Sequence, residues 1–543
     1  MGFEVLSYVS DRRLKTPPSL PRKVKQGSAP TRWSDFFMMS FKENYDALRV
    51  PRERRKHWAT LARDRDKWKN CWRPLKQFED QRESRISVRI QSRMMCSVGI
   101  DLGTTSIKVC AVQGTRILIE DQVRHNANID GRVGVQDARK IITEAENLLR
   151  DVVRRMKKEF SMDIDRIGIS GQQHGLVLWT SESLRRGVLD CSELYNWMYP
   201  GDPPAAAKLP KSKSNCVFPG YGMRTLCELA SYSTFDPKKH WDRCGNIMDY
   251  FACYLTGNDE VLMSEHNAYA WGYSSGLEWN AEILPFTPKW IKLPRIVQTY
   301  VGKFTKMGDA RLEGLQNIPV GVALADLHAS IMSVRGHYTG ADHAYLILGT
   351  SSQLCFVLPN TVKLPPLPVT THIFTFSDEL TLVAAASMNG GNALDAFLST
   401  LRRWSTDATG MSTSLDISRI LAEVDRASSS LKNTPRSIPH INSLFIHERG
   451  SEDKGVEIRG LKTNTSLIDM LIGVCRGVIR NLFSLVPPEL FISYGVKKLF
   501  LVGSAKQDRF LVHIKEYLKE HGANHIDLHL AETDTSAAYG IAL

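Results

Sequence analysis

Asp101 stands in the run Gly99-Ile100-Asp101-Leu102-Gly103-Thr104-Thr105-Ser106, where an acid, a glycine and three hydroxyls share one turn between two alternating apolar runs. That combination suits phosphate and cation chemistry. Gly103 lets the backbone bring its amides close to an anion, Thr104, Thr105 and Ser106 add hydroxyls, and Asp101 can reach a cation. The design recurs at Leu348-Gly349-Thr350-Ser351-Ser352, which makes a second phosphate-loop candidate and suggests internal duplication. A different chemistry is available at Asp326. It ends the apolar run Pro319 to Ala325 and opens a small-residue helix, whose dipole favours an ionised carboxylate. Asp326 there is either a helix cap or a group able to accept a hydroxyl proton. The loop Gly171-Gln172-Gln173-His174-Gly175 follows a short strand, and Gln172 and His174 are placed to bond a polyol or simply to satisfy the turn. Met263 to Tyr273 reads as a polar and aromatic turn suited either to a sugar or to core packing. No G-x-x-x-x-G-K-[ST] or G-x-G-x-x-G element occurs.

These groups need elements to hold them. Val98 and Ile100 alternate on one side of the first turn, and Ile107, Val109 and Ala111 on the other, which predicts a hairpin. Apolar residues at Ile141, Ile142, Ala145, Leu148, Leu149, Val152, Val153 and Met156 predict a helix within 135–160. Strands are expected at 166–170, 319–325, 344–348, 353–357 and 498–502. A largely helical region is expected over 216–269, a helix after the turn at Gly390 and Gly391, and further helices over 467–483 and at the C-terminus, which ends inside the last one.

The 543 residues leave room for two or three domains, and no apolar run approaches the ~20 residues that span a bilayer. Ten cysteines without a close pair at metal-ligand or redox spacing point to reduced thiols and a cytoplasmic setting. The net charge of +12 is not spread over the chain. Residues 1–93 hold 23 Lys and Arg against 11 Asp and Glu, which leaves 47 against 47 for the rest. An electrostatic reason to bind nucleic acid therefore exists only in that basic extension. It has no apolar h-region, and its acids do not suit a mitochondrial presequence. Its stretch Arg55 to Arg82 resembles the tail of reverse transcriptases from non-LTR retroelements, which implies a disordered or fused segment and a natural start at Met94 or Met95.

Over roughly 96–543 the ordered set of motifs is similar to the FGGY carbohydrate kinases. It is carried by 99–106, Gly171-Gln172-Gln173-His174-Gly175, Asn267-Ala268-Tyr269-Ala270-Trp271-Gly272-Tyr273, Gly321 to Asp326 and Ser387-Met388-Asn389-Gly390-Gly391-Asn392. The resemblance implies an α/β fold of two ribonuclease-H-like domains, of the actin and hexokinase type, with the active site in the cleft between them. Residues 94–338 would bind the sugar and 339–543 the nucleotide. It implies ATP and Mg²⁺, with sedoheptulose as the acceptor and xylulose, ribulose or glycerol as alternatives. A catalytically weakened sugar- or nucleotide-binding homologue is the other reading. By position, Asp326 would be the general base and Asp101 would hold Mg²⁺. Gly103, Thr104, Thr105, Gly349, Thr350, Gly390, Gly391 and Gly503 would bind ATP, and Gln172, His174 and Asn267 the sugar. The chain departs from the family at its Trp-x-Asp element. It reads Trp197-Met198-Tyr199, with Asp202 a substitute only if the loop is rebuilt, and the loss of a carboxylate there leaves sugar hydroxyls unpaired. Leu501 and Val502 precede Gly503 where the family's adenosine loop is glycine-rich, which predicts a narrowed adenine pocket.

Overall fold

Strands β1 (Cys96–Leu102) and β2 (Ser106–Gln113) pair antiparallel with Leu102 opposite Ile107, so Gly103 to Thr105 form the turn of the expected hairpin. The Gly103 amide closes it on the Ser106 carbonyl at 3.1 Å. Strand β3 (Arg116–Arg124) extends the hairpin, and helix α1 (Ala138–Phe160) then covers the sheet with the apolar stripe read from its spacing. Asp137 caps α1 by accepting from the Lys140 amide, and Ser161 ends it in the left-handed conformation, with Lys157 and Lys158 in its last turn. Strand β4 (Arg166–Gly171) returns parallel to β1. The computed structural model describes residues 96–231, 241–335, 342–411, 414–431, 433–434, 436–449, 454–486, 490–491, 494–531 and 536–543. The basic extension, its retroelement resemblance and the start expected at Met94 or Met95 lie outside the described residues.

Among its described residues the region 216–269 is less helical than expected. It contains α2 (Gly222–Ala230), α3 (Ile247–Thr256) and the first part of α4 (Glu265–Trp271), with short strands between them. The expected turn at 263–273 is thus mostly helix α4, which places Asn267 on a buried helical face. Strands β5 (Lys306–Asp309), β6 (Pro319–Gly321) and β7 (Leu324–Ala325) complete a sheet of order β5-β6-β4-β1-β2-β3, with β7 beside β4. Helix α5 (Asp326–Arg335) begins directly where β7 stops.

The second half repeats the plan. Strands β8 (His343–Leu348), β9 (Ser352–Pro359), β10 (Thr371–Thr375) and β11 (Leu380–Ser387) lead into α6 (Gly391–Thr409) and α7 (Ile417–Ser429). Then come α8 (Leu467–Ser484), β12 (Lys498–Gly503), α9 (Asp508–Glu520) and β13 (Asp527–Leu530). The sheet order is β10-β11-β9-β8-β12-β13, with β8 antiparallel to β9 and parallel to β12, as β1 is to β2 and β4. The duplication expected from the two Gly-Thr turns is therefore present in the topology. Each sheet has its own core, one around Ile100, Leu149 and Phe251, the other around Leu346, Val474 and Phe510.

The last helix, α10 (Ser536–Ala542), leaves the second half and lies on β1, β4 and α5. Glycines make room for it. A Cβ on Gly99 would stand 2.0 Å from the Ala538 carbonyl oxygen, on Gly168 2.4 Å from that of Ile541, and on Gly540 1.8 Å from that of Ala329. Backbone against backbone at this spacing admits no side chain.

Candidate active site

Asp326 lies on the wall of a cavity of about 140 Å³ between the two halves. From the first half the lining includes Gln172, Gln173, His174, Trp197, Leu327 and Ser330, and from the second Ile347, Ser351, Gln353, His372, Phe374, Met388 and Arg449. The Asp326 carboxylate is oriented by the Leu327 amide, which donates to Oδ1 at 2.7 Å and leaves Oδ2 for another partner. Burial pushes its pKa up to about 7, and the charge of Asp101 pushes the same way. Asp101 is buried at the end of β1 and raised for the same first reason, with Lys108 and a 3.2 Å bond from Ser170 Oγ acting against it. Two carboxylates within each other's field in a water-poor cleft strongly prefer to share a proton or a cation.

Gln172 and His174 are both on the cavity wall. The Gln172 amide holds the loop to β1 by donating to the Leu102 carbonyl at 2.9 Å, and its side chain donates to Gln136 Oε1 at 3.1 Å. His174 has φ +67 and stacks on Tyr221 with ring centroids 4.2 Å apart. Its Nδ1 meets the Ala270 carbonyl, which can only accept, so Nδ1 carries the hydrogen and Nε2 is left as an acceptor. Burial, and after it the charge of Arg449, lower the His174 pKa well below the usual range, so the ring stays neutral.

Asn267 is not brought to the cavity. It is fully buried on α4, donates to the Ala323 carbonyl at 3.2 Å and leaves its Oδ1 without a partner among the described residues. It lies beneath the chain that delivers Asp326. The reason is the helix that replaces the expected turn.

At the first hairpin tip the Gly103 amide is taken up by the turn and the Thr104 hydroxyl by its neighbours. Thr104 Oγ1 accepts from Trp197 Nε1 at 3.0 Å and lies 3.4 Å from Gln172 Oε1. Its carbonyl accepts from Gln136 Nε2 at 2.8 Å. Gly103 and Thr104 are thus held by the turn and its neighbours, and Thr105 is the exposed residue of the turn. The second tip brings separate segments together. Gly391 N donates to the Gly349 carbonyl at 2.9 Å and Asn392 N to the Thr350 carbonyl at 3.1 Å. A Cβ on Gly390 would meet the Ser351 carbonyl carbon at 2.5 Å, and one on Gly503, with φ +66, would meet the Leu348 oxygen at 2.6 Å. Gly390, Gly391 and Gly503 are thus packed backbone against backbone with the strand end and tip at Leu348 to Ser351. Leu501 and Val502 are buried in the core.

Asp202 does not replace the missing acid at Tyr199. It caps the short helix Pro203–Ala206, accepting from Ala205 N at 3.4 Å, and it is not on the cavity wall. Several residues of the site carry no sequence signal of their own. Gln136, Tyr221, His372 and Arg449 lie far apart in the chain and outside any motif. Glu448 is another: it is buried and accepts from Ser387 Oγ, Met388 N, Asn389 Nδ2 and Asn481 Nδ2 at 2.6–3.0 Å, which fixes the turn before α6. Trp197, Ser351 and Gln353 lie inside the segments that carry the motifs.

The two-carboxylate set fits a divalent cation of the Mg²⁺ type, which uses one or two carboxylates and takes its remaining ligands from water and phosphate. Among the described residues no group of three or more His, Cys, Asp or Glu forms a metal cluster, and no helix is long and apolar enough to cross a membrane. The nine described cysteines are free thiols, as their spacing predicts.

No known family's sequence profile matches the chain. It is 28% identical to mouse sedoheptulokinase over 438 residues, 75% of this chain and 89% of that protein. The human sedoheptulokinase is similar to it at 28% over 440 residues, with the same coverage. Among solved structures, a xylulose kinase from Brucella ovis matches with a TM-score of 0.62 at 20% identity, covering 82% of this chain and 89% of that one. The Plasmodium falciparum glycerol kinase with ADP matches at 0.61 and 15%, covering 83% and 88%.

Proposed function

From a chain that is a homologue of the sedoheptulokinases and has the two-lobed fold of the FGGY-type carbohydrate kinases, we propose an ATP-dependent sugar kinase that phosphorylates a terminal hydroxyl, with sedoheptulose as the acceptor. The observation that carries this reading is the position of Asp326. A carboxylate with raised proton affinity faces a cavity lined by hydrogen-bonding side chains of the first half and by Ser351, Gln353 and Arg449 of the second, with Ser351 next in the chain to the Gly349-Thr350 tip.

In this reading residues 94–338 bind the sugar and residues 339–543 the nucleotide. Gln172 and the Nε2 lone pair of His174 bond sugar hydroxyls. Asp326 Oδ2 takes the proton of the reacting hydroxyl, while Oδ1 stays on the Leu327 amide and keeps the carboxylate aimed. Gly349, Thr350, Gly390, Gly391 and Gly503 let backbone approach the ATP phosphates, and Thr105 faces them from the other tip. Asp101, with Asp326 near it, would hold Mg²⁺. That ion supplies neutralisation of phosphate charge. The protein's share is positioning and exclusion of water, which suits phosphoryl transfer because its transition state asks for little covalent help.

The test is transfer of labelled phosphate from Mg-ATP to a panel of sedoheptulose, xylulose, ribulose and glycerol. Sedoheptulose is expected to have the highest kcat/KM. No transfer to any of them by folded protein sinks the proposal.

The pH profile provides a second check. A base must be ionised, so kcat/KM is expected to fall as pH drops through about 7. In Asp101→Asn the repulsion from Asp101 is gone and the acid limb is expected to move down, towards ordinary carboxylate values, even though the rate is lower. A pH–rate profile of each protein reads the two limbs; an unmoved limb removes Asp326 as the titrating group.

A further inference from the structure

Among the described lining residues Asp326 carries the carboxylate and Arg449 the permanent positive charge, and the two lie beside different neighbours. Asp326 is paired in charge with Asp101. Arg449 lies with its guanidinium carbon 5.3 Å from the Tyr221 ring centroid and 5.9 Å from that of Phe218. Tyr221 in turn stacks on His174 and bonds His372 Nε2 through its hydroxyl at 2.9 Å. Arg449 is thus clamped on aromatic faces against two imidazoles that burial holds neutral. No described carboxylate forms an ion pair with it. Glu448, its chain neighbour, is taken up by Ser387, Met388, Asn389 and Asn481. A half-buried guanidinium with five donors and no anion among the described residues is a site for an oxygen acceptor, and a carboxylate or phosphate matches its fork best.

We infer that Arg449 determines acceptor specificity by gripping the end of the acceptor remote from the reacting hydroxyl, so that this pocket favours an anionic group there and rejects a cationic one. The inference deepens the kinase reading and rests on it for the word acceptor. The chemical class it names is a polyhydroxylated chain that offers an oxygen acceptor at its far end, which sedoheptulose supplies with hydroxyl or carbonyl oxygens and a carboxylate or phosphate supplies more strongly. A neutral sugar binds the same guanidinium through hydroxyl or carbonyl oxygens, with less gain.

A matched six-carbon series tests it without turnover: D-gluconate, D-glucitol and 1-amino-1-deoxy-D-glucitol carry a carboxylate, a neutral hydroxymethyl group and an ammonium on one polyol. Binding is followed calorimetrically and through the fluorescence of Trp197, which lines the cavity. Wild-type protein is expected to bind gluconate about tenfold or more tighter than the amino compound, with glucitol between them. In Arg449→Met the ratio is expected to collapse to about threefold or less, and Arg449→Lys to restore part of it, since a point charge keeps attraction without the fork. Equal affinities in the wild type, or no binding of gluconate, overturn the inference without recourse to any variant. An unchanged ratio in a folded Arg449→Met protein overturns it as well. Phosphorylation of neutral sugars without this preference would leave the kinase reading standing, whereas the preference without transfer to any sugar would refute the kinase reading alone.

Discussion

Asp326→Asn is expected to lower kcat by about a thousandfold or more while leaving sugar and nucleotide affinities within about threefold, because an amide keeps the shape and the Leu327 contact but cannot take the hydroxyl proton. Stopped-turnover assays with equilibrium binding on the same sample separate the two effects. Stability is expected to move the opposite way. The folded carboxyl sits near 7 against 3.8 for the free side chain. Its ionisation therefore opposes folding, with a cost that is absent below about pH 4 and complete above about pH 7. The substitution should accordingly stabilise the protein at pH 8 by about 1–3 kcal/mol, a range reduced for the water that reaches the cavity wall, and should give little gain at pH 4. Denaturant titration at the two pH values measures this. A loss of stability at pH 8, or a rate within tenfold of wild type, would remove the base role.

Gly540→Ala is expected to be the most damaging added methyl among the described glycines. The new Cβ would stand 1.8 Å from the Ala329 carbonyl oxygen and 2.9 Å from the Ser333 amide, both backbone atoms of α5, so no side chain can swing away. Helix α10 or α5 must shift bodily, at a cost of about 3 kcal/mol or more. The consequence reaches the site, because α5 begins at Asp326 and α10 also lies on β1, which ends at Asp101. Urea unfolding should show the lowered midpoint, and kcat should fall with it. Gly455→Ala, where a Cβ meets nothing within 4 Å, should change stability by less than about 0.5 kcal/mol. Equal behaviour of the two variants would show that α10 does not pack as described.

Much of the site was readable from local pattern. Apolar alternation with Gly-Thr turns identifies both hairpins, because a strand's period of two and the special backbone of a turn are encoded within a dozen residues. The position of Asp326 between an apolar strand and a small-residue helix is legible for the same reason, and the charge count assigns the basic excess to residues 1–93. What lies between these pieces was not legible. Asn267 reads as a turn residue because serine, asparagine and aromatics are common in turns, yet burial of Ala268, Ala270 and Trp271 makes the segment a helix and takes Asn267 into the core.

The chain's own order of residues thus determines the two Gly-Thr turns, the strand ends that present Asp101 and Asp326, and the glycine runs that stay free of side chains. Only the tertiary structure decides that Thr104 turns its hydroxyl to Trp197, that α10 returns to β1, and that Arg449 lies against Tyr221. Hydrogen-bonded turns and alternating strands are short-range properties. The wall of a cleft is a sum over residues hundreds of positions apart, such as Gln172 and Arg449, whose meeting depends on how two sheets pack and on nothing either residue's neighbours in the chain record.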